Sequence, residues 1–492
     1  MITRSSGILM HITSLSSPYG IGTFGKEAYK FVDFLVKSGQ GYWQVLPLGP
    51  TGEGHSPYQS FSTFAGNPYF IDLNLLKEDE LLKKEDYEKI DFGDNEERVD
   101  YKKIFKNKMP ILRLAFENSK GEYENQIAKF RGENKDWLED YALYMAVKEN
   151  FDSKPWQQWD EDIKLRKEQA LVRYKKELKE EIDYWIFLQY QFFKQWTALK
   201  NYANEKNVKI IGDIPIYVAE DSVDTWANNE VFLLDEDKMP IAVAGCPPDA
   251  FSATGQLWGN PIYNWRYLEK TDYKWWIGRI KGNTKLYDVT RVDHFRGFES
   301  FWQIPYGDDT AVNGKWVKGP GINLFYAIKQ VLGEMDIIVE DLGYLTKEVI
   351  DFRIVLGYPG MKVLEFAFDD SEKNEHLPHN YDKNCVVYTG THDNETVIGW
   401  FDSAQKSHAD FARRYLKLNK KEGYHWGFIR GALSSTGNLA IIQMQDYLGL
   451  GSEARMNTPS TLEGNWQWRV KKDVLNDSLA KKINKITKLY GR

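Results

Sequence analysis

Short apolar runs ending in polar or glycine-bearing turns recur along the chain, separated by stretches whose apolar residues return every three or four positions. The runs read as eight strands, at 7–15, 42–48, 208–218, 286–293, 337–341, 362–368, 385–391 and 438–443. Helical spacing is plain at 26–37 and 324–331, where one face is apolar. Strands that alternate with helices pair in parallel through helical crossovers. Eight such units predict a closed (β/α)8 TIM barrel of the α/β class.

Two connections are too long for ordinary loops. The first follows the second strand and carries helix-like pattern at 75–118, 137–151 and 162–204. Its charge runs, Lys83-Lys84-Glu85-Asp86 and Lys175-Lys176-Glu177, mix signs as a solvated face does. The second, after the third strand, is rich in glycine, proline and aromatics and reads as structured loops over the barrel mouth. The expected division is barrel at 1–70, a helical insertion at 71–205, the third strand at 206–218, a covering insertion at 219–285 and barrel again at 286–492.

Composition narrows the function. Hydrophobic residues are 42% and charged residues 27% of the 492, so a large core can be buried. A net charge of −7 argues against a nucleic-acid partner. Aromatics reach 15%, with 17 Trp and 29 Tyr, side chains that pair an apolar face with a hydrogen-bonding tip, as sugar rings do. Trp43, Trp185, Trp196 and Trp426 fall on strand or helix patterns and are expected in the core; Trp156 and Trp159 are expected to fasten the insertion to the barrel. Cys246 and Cys385, the only two cysteines, form no disulfide or metal-ligand pattern. The start of the chain lacks a signal-peptide pattern, and no apolar run approaches the roughly 20 residues that span a bilayer. The expectation is a cytoplasmic protein with no membrane partner.

A barrel of this type works at the C-terminal ends of its strands. The fourth strand ends Thr290-Arg291-Val292-Asp293-His294, the fifth Ile338-Val339-Glu340-Asp341 and the seventh Thr389-Gly390-Thr391-His392-Asp393. Three strands thus bring a carboxylate to one rim. Glycoside cleavage with retention needs two carboxyl groups roughly 5–5.5 Å apart, a nucleophile and an acid/base. Side chains at i and i+2 of a strand share a face, which sets Arg291 beside Asp293 and keeps that carboxyl ionised as nucleophile. Glu340 follows the apolar Ile337-Ile338-Val339, a setting that favours the protonated acid. Asp393 is left to stabilise charge at the anomeric carbon, with His392 as a hydroxyl donor beside it.

These segments belong to a larger set: Ser56-Pro57-Tyr58-Gln59-Ser60, Gly212-Asp213-Ile214-Pro215, Gly245-Cys246-Pro247-Pro248-Asp249, Gly255-Gln256-Leu257-Trp258-Gly259-Asn260-Pro261, Arg291-Val292-Asp293-His294-Phe295-Arg296-Gly297, Glu340-Asp341-Leu342-Gly343, Gly357-Tyr358-Pro359-Gly360-Met361, Thr391-His392-Asp393-Asn394 and Asn465-Trp466-Gln467-Trp468-Arg469. Over nearly its whole length the chain resembles the amylomaltase (4-α-glucanotransferase, disproportionating enzyme) family of the α-amylase clan. The resemblance implies the same three catalytic carboxylates. It also implies that Tyr58, Asp213, Asp249, Gln256, Trp258, Arg291, His294, Asp341, Asp369 and His392 bind sugar in or near the cleft, and that 247–260 covers it. No metal or organic cofactor is implied, and no C-terminal β-sandwich. Donors would be maltooligosaccharides and α-1,4-glucans, and acceptors glucose or maltooligosaccharides. Ala250 and Cys246 depart from the residues usual in the family, Tyr and Val, as does Ser460, often Gly.

Transfer rather than hydrolysis requires that water be kept from the intermediate while an acceptor sugar binds. The aromatic stretch 242–265, with Phe251, Trp258 and Tyr263, is suited to that. An α-glucan hydrolase of the same clan is the nearest alternative. A Mg²⁺ barrel would want a Lys or His base at another strand end, and no suitable Lys is present. A non-catalytic glucan-binding protein would be expected to lack one of the carboxylates.

Overall fold

A computed structural model of the chain describes residues 2–52, 54–248, 252–343, 345–369, 373–461 and 463–492. Its strands, in chain order, are β1 (Ser5–Leu9), β2 (Tyr42–Gln44), β3 (Lys209–Ile214), β4 (Ala242–Cys246), β5 (Gln256–Pro261), β6 (Val289–Val292), β7 (Ser300–Pro305), β8 (Lys315–Lys318), β9 (Ile337–Val339), β10 (Gly360–Val363), β11 (Cys385–Tyr388) and β12 (Leu439–Gln443). Eight of them form one parallel sheet in the order β10-β11-β12-β1-β2-β3-β6-β9. The Val339 N–H donates to Pro359 O at 3.0 Å, just ahead of β10, and draws the two edges together. This is the (β/α)8 barrel expected. The strands are shorter than their apolar runs, because the runs continue past the ladder into the rim that carries the site.

Alternation decides what points inward. Leu9, Tyr42, Ile211, Val289, Ile338, Met361, Val386 and Ile441, at least one from every barrel strand, pack into a single interior cluster with Val363, Tyr388 and Leu439. Their chain neighbours, such as Ile8, Trp43, Ile210 and Ile442, join the outer cluster beneath the helices. The helix Lys26–Lys37 buries Ala28, Phe31, Val32, Phe34 and Leu35 there. Trp43, Trp185, Trp196 and Trp426 are all buried in this outer layer.

The stretch between β2 and β3 is helical, with Tyr101–Asn118, Glu124–Glu133, Leu138–Asn150, Glu168–Glu177 and the 27-residue Lys179–Glu205. The last of these runs against the barrel wall. Its buried Gln189 accepts from Gly66 N–H at 2.7 Å and donates to Gly66 O at 2.9 Å, and Gln195 accepts from Asp72 N–H at 2.7 Å. Buried amides are stable only when satisfied in this way. A second dock forms at Asp221, after β3. It takes hydrogen bonds from Tyr144 Oη (2.6 Å), Lys148 Nζ (2.5 Å) and Trp156 N (3.2 Å) of the helical region. Trp156, buried with Trp159, also donates from Nε1 to Glu220 O at 3.1 Å. From the same segment Val223 N–H donates to Phe61 O, while Asp224 accepts from Thr63 N–H and Oγ1. The loop 56–63 is therefore propped from outside the barrel.

The covering stretch is more regular than the loops expected. β4, β5, β7 and β8 form an antiparallel sheet in the order β5-β4-β7-β8. Two of its strands, β7 and β8, come after the nucleophile strand, beyond residue 285. β4 and β5 are short and interrupted by Gly245 and Gly259, and β4 pairs with the distant β7 across the nucleophile strand, so local pattern does not announce the sheet. Among the described residues no helix is long and apolar enough to cross a membrane.

Candidate active site

The alternation that fills the barrel also builds the site. Each residue two positions beyond an inward apolar side chain stands on the rim, facing in. Ile211 leads to Asp213, Val289 to Arg291 and on to Asp293, and Ile338 to Glu340. Arg291 sits at the centre, 3% exposed. Its Nη1 donates to Asp213 Oδ2 at 2.5 Å and to Asp293 Oδ1 at 3.1 Å, and its Nη2 pairs with Glu340 Oε2 at 3.1 Å. Tyr58 Oη adds a hydrogen bond to Asp213 Oδ2 at 2.8 Å. His294 has a φ of +47°, the left-handed turn that aims its N–H at Glu340 Oε2, 2.8 Å away. A left-handed non-glycine residue is held there by its surroundings, here by the hydrogen bond to Glu340.

One guanidinium faces three carboxylates, so the cluster retains a proton. Burial and the neighbouring Glu340 push Asp293 well above the usual carboxylate range, against the pull of Arg291. Burial acts on Glu340 in the same direction, but Arg291, a hydrogen bond from Asp293 and the His294 N–H outweigh it and hold that carboxyl at about 2. The apolar residues before Glu340 face other layers of the wall, whereas its carboxyl lies among donors. The two carboxyls are joined by a direct hydrogen bond and titrate as a pair.

Asp393 closes the ring from β11. Asn457 Nδ2 donates to its Oδ1 at 2.6 Å, Arg455 Nη2 donates to its backbone oxygen at 2.7 Å, and His392 Nε2 lies 3.4 Å from Oδ1. His392 stacks on Tyr58, centroids 5.0 Å apart and planes at 13°, with Trp466 beside both. Across the cleft, Trp258 on β5 meets the His294 ring edge to face at 4.7 Å, its Nε1 donating to Gln256 at 3.1 Å. Tyr58, Asp213, Gln256, Trp258, Arg291, His294 and His392 are thus brought together around the three carboxylates.

Two expected residues stand elsewhere. Asp341 turns into the wall: it pairs with Arg353 at 2.9 Å and accepts from Met361 N–H at 2.7 Å, while a Cβ on Gly360 would lie 2.2 Å from its Oδ2. Next to Glu340 on the chain, it faces the opposite way, as alternation requires. Burial lifts its pKa to about 6 against the pull of Arg353. Asp369 is exposed, on the side of His376. Asp249, with Ala250 and Phe251, lies outside the described residues.

Some residues of the site escaped the sequence reading. Gln44 and Tyr388, joined at 3.0 Å, form its floor; both sit at inward positions of the strand alternation, which would have found them. Asn457 and Arg455 come from a loop without pattern. Among the described residues, no group of three or more His, Cys, Asp or Glu could hold a metal ion.

A family model described as 4-alpha-glucanotransferase matches residues 10–475. The chain belongs to the 4-alpha-glucanotransferase family. It is 57% identical to the 4-alpha-glucanotransferase of Clostridium butyricum, over 98% of this chain and 100% of that one. With the 4-alpha-glucanotransferase of Thermus thermophilus it shares 48%, over 95% of each. An amylomaltase from Streptococcus agalactiae, solved in complex with acarbose, superposes with a TM-score of 0.98 at 45% identity, covering 99% of both chains. As a 4-alpha-glucanotransferase the protein is a transglycosylase of the α-amylase clan acting on α-glucans.

Proposed function

We propose that this 4-alpha-glucanotransferase works by double displacement, with Asp293 as nucleophile, Glu340 as acid/base and Asp393 as stabiliser of the oxocarbenium-like transition state. The observation that carries the reading is the clamp of Arg291 on Asp213, Asp293 and Glu340. In this arrangement Asp293 and Glu340 are bridged by a hydrogen bond, closer than the roughly 5 Å that retention employs. A donor glucan parts the two as it enters, leaving the pair's proton on Glu340 and Asp293 ionised. Asp293 then attacks C1, the bond from C1 to O4 of the leaving glucan breaks, and Glu340 protonates that O4. The product is a β-glucosyl ester on Asp293. The acceptor's 4-hydroxyl gives its proton to Glu340 and attacks C1, which restores the α-1,4 bond and frees Asp293.

Donors are maltooligosaccharides and α-1,4-glucans, and acceptors are glucose or maltooligosaccharides. The acarbose complex of the Streptococcus agalactiae relative supports a glucan cleft at this rim. Trp258, lying over His294, shields the ester from water. The buried thiol of Cys385 suits work in the reducing cytoplasm.

The test is to incubate the protein with maltotriose alone and resolve the products by chain length. A ladder of longer oligosaccharides with free glucose and few new reducing ends is expected. Shorter products only, with reducing ends rising steadily, would mean hydrolysis on the same scaffold.

A further inference from the structure

The rule that brings the catalytic side chains to the rim brings one more. On β1 the inward residue is Leu9, and two positions on stands His11, 4% exposed. The sheet order sets β1 four strands from β9 in either direction, so β1 stands opposite the strand that carries Glu340. Its ring is fixed on two sides. Phe70 meets it edge to face at 5.5 Å, and the Leu46 N–H donates to Nδ1 at 3.2 Å. With Nδ1 used as an acceptor, the neutral ring carries its proton on Nε2. Burial, with His392 nearby, lowers the pKa to about 3, so the ring stays neutral at any ordinary pH. Among the described residues Nε2 has no hydrogen-bond partner. His11 shares a small cavity with Trp466, which packs against Tyr58 and His392 on the sugar side.

The ring as a whole is buried, yet Nε2 is open rather than sealed in, and a donor of fixed tautomer that makes no hydrogen bond within the protein is available to an incoming acceptor. A sugar hydroxyl accepts and donates alike, and the cavity that His11 lines with Trp466 lies next to Tyr58 and His392, the neighbour of Asp393. We propose that His11 is a further substrate-binding residue, donating from Nε2 to a hydroxyl of the glucosyl unit that Asp293 attacks. This rests on the roles proposed above for Asp293, Glu340 and Asp393.

The test compares His11→Asn with His11→Gln. The Asn oxygen can still accept from Leu46 N–H but offers nothing at Nε2; the Gln amide reaches that position. The donors are α-maltosyl fluoride and its analogues deoxygenated one hydroxyl at a time on the transferred ring, with glucose as acceptor. His11→Asn is expected to lower kcat/KM for the parent donor about tenfold, as loss of one hydrogen bond does, with part of the loss recovered in His11→Gln. One deoxy donor should react equally well with wild type and His11→Asn. Wild-type rates in His11→Asn would overturn the proposal. So would an equal loss with every deoxy donor, which is the mark of structural damage. Asp293→Asn, run alongside, separates the two readings: if it stays active, the carboxylate roles fail; if it is dead while His11→Asn is unaffected, only the role of His11 fails.

Discussion

Arg291 and Asp213 are joined at 2.5 Å with side chains 3% and 0% exposed, and the same guanidinium carries Asp293 and Glu340 on its other edges. A lysine presents one ammonium where three carboxylates are met by a planar fork. Arg291→Lys is therefore expected to lose transfer by at least about 100-fold and to lower unfolding stability by about 3–5 kcal/mol, the cost of breaking a buried pair. Urea melts together with maltotriose kinetics check both. A variant of wild-type stability would show that the clamp does not hold the site together.

The two members of the dyad should separate by leaving group. Glu340→Gln cannot protonate a sugar oxygen, yet fluoride leaves without help. With α-maltosyl fluoride this variant is expected to accumulate an ester on Asp293, seen as a mass increase on the peptide that carries it. Asp293→Asn should give no adduct with any donor. An adduct on another carboxylate would reassign the nucleophile.

Asp341→Asn tests the outward-facing carboxyl. Its contacts with Arg353 and Met361 N–H predict a fall in stability of about 1–3 kcal/mol, in the range of a lost buried charged hydrogen bond, with KM for maltotriose unchanged. A large rise in KM at unchanged stability would return Asp341 to the cleft.

These cases mark what the chain disclosed before its fold was seen. The eight barrel strands were legible because each is a compact apolar run, and Asp293, Glu340 and Asp393 because each follows such a run to its end. The placing of Asp341 needed the alternation carried one residue further. The partners of Glu340 were not legible, because apolar neighbours along a strand are not the neighbours of a side chain in space: its carboxyl meets Arg291, from β6, and the backbone turn at His294. The joining of two hairpins into one antiparallel sheet was hidden because β4 pairs with β7, some sixty residues on, and no local pattern records such a partner.

The pH dependence of stability has a definite sign at His294. Burial lowers its pKa from 6.5 to about 4, with Arg296 adding to the effect and Glu340 opposing it. A depressed folded-state value gives stability that is complete above 6.5 and is lost as pH falls toward 4. Between pH 7 and pH 5 the share lost is about 2 kcal/mol. His294→Asn, which tolerates the left-handed turn, should show a shallower decline in urea midpoint over that interval. An unchanged slope would mean that His294 is already charged in the folded protein.

The dock at Asp221 bears on how the enzyme fails when heated. Tyr144, Lys148 and Trp156 hold the segment that in turn holds Phe61 and Thr63, and between those two ties and β2 lies the loop that presents Tyr58 to Asp213. Loosening the helical layer therefore unseats Tyr58 while the parallel strands remain paired. Inactivation on warming should run ahead of the loss of β-sheet signal, and the weak point for engineering a hardier catalyst lies in the contacts around Asp221, well away from the carboxylates themselves.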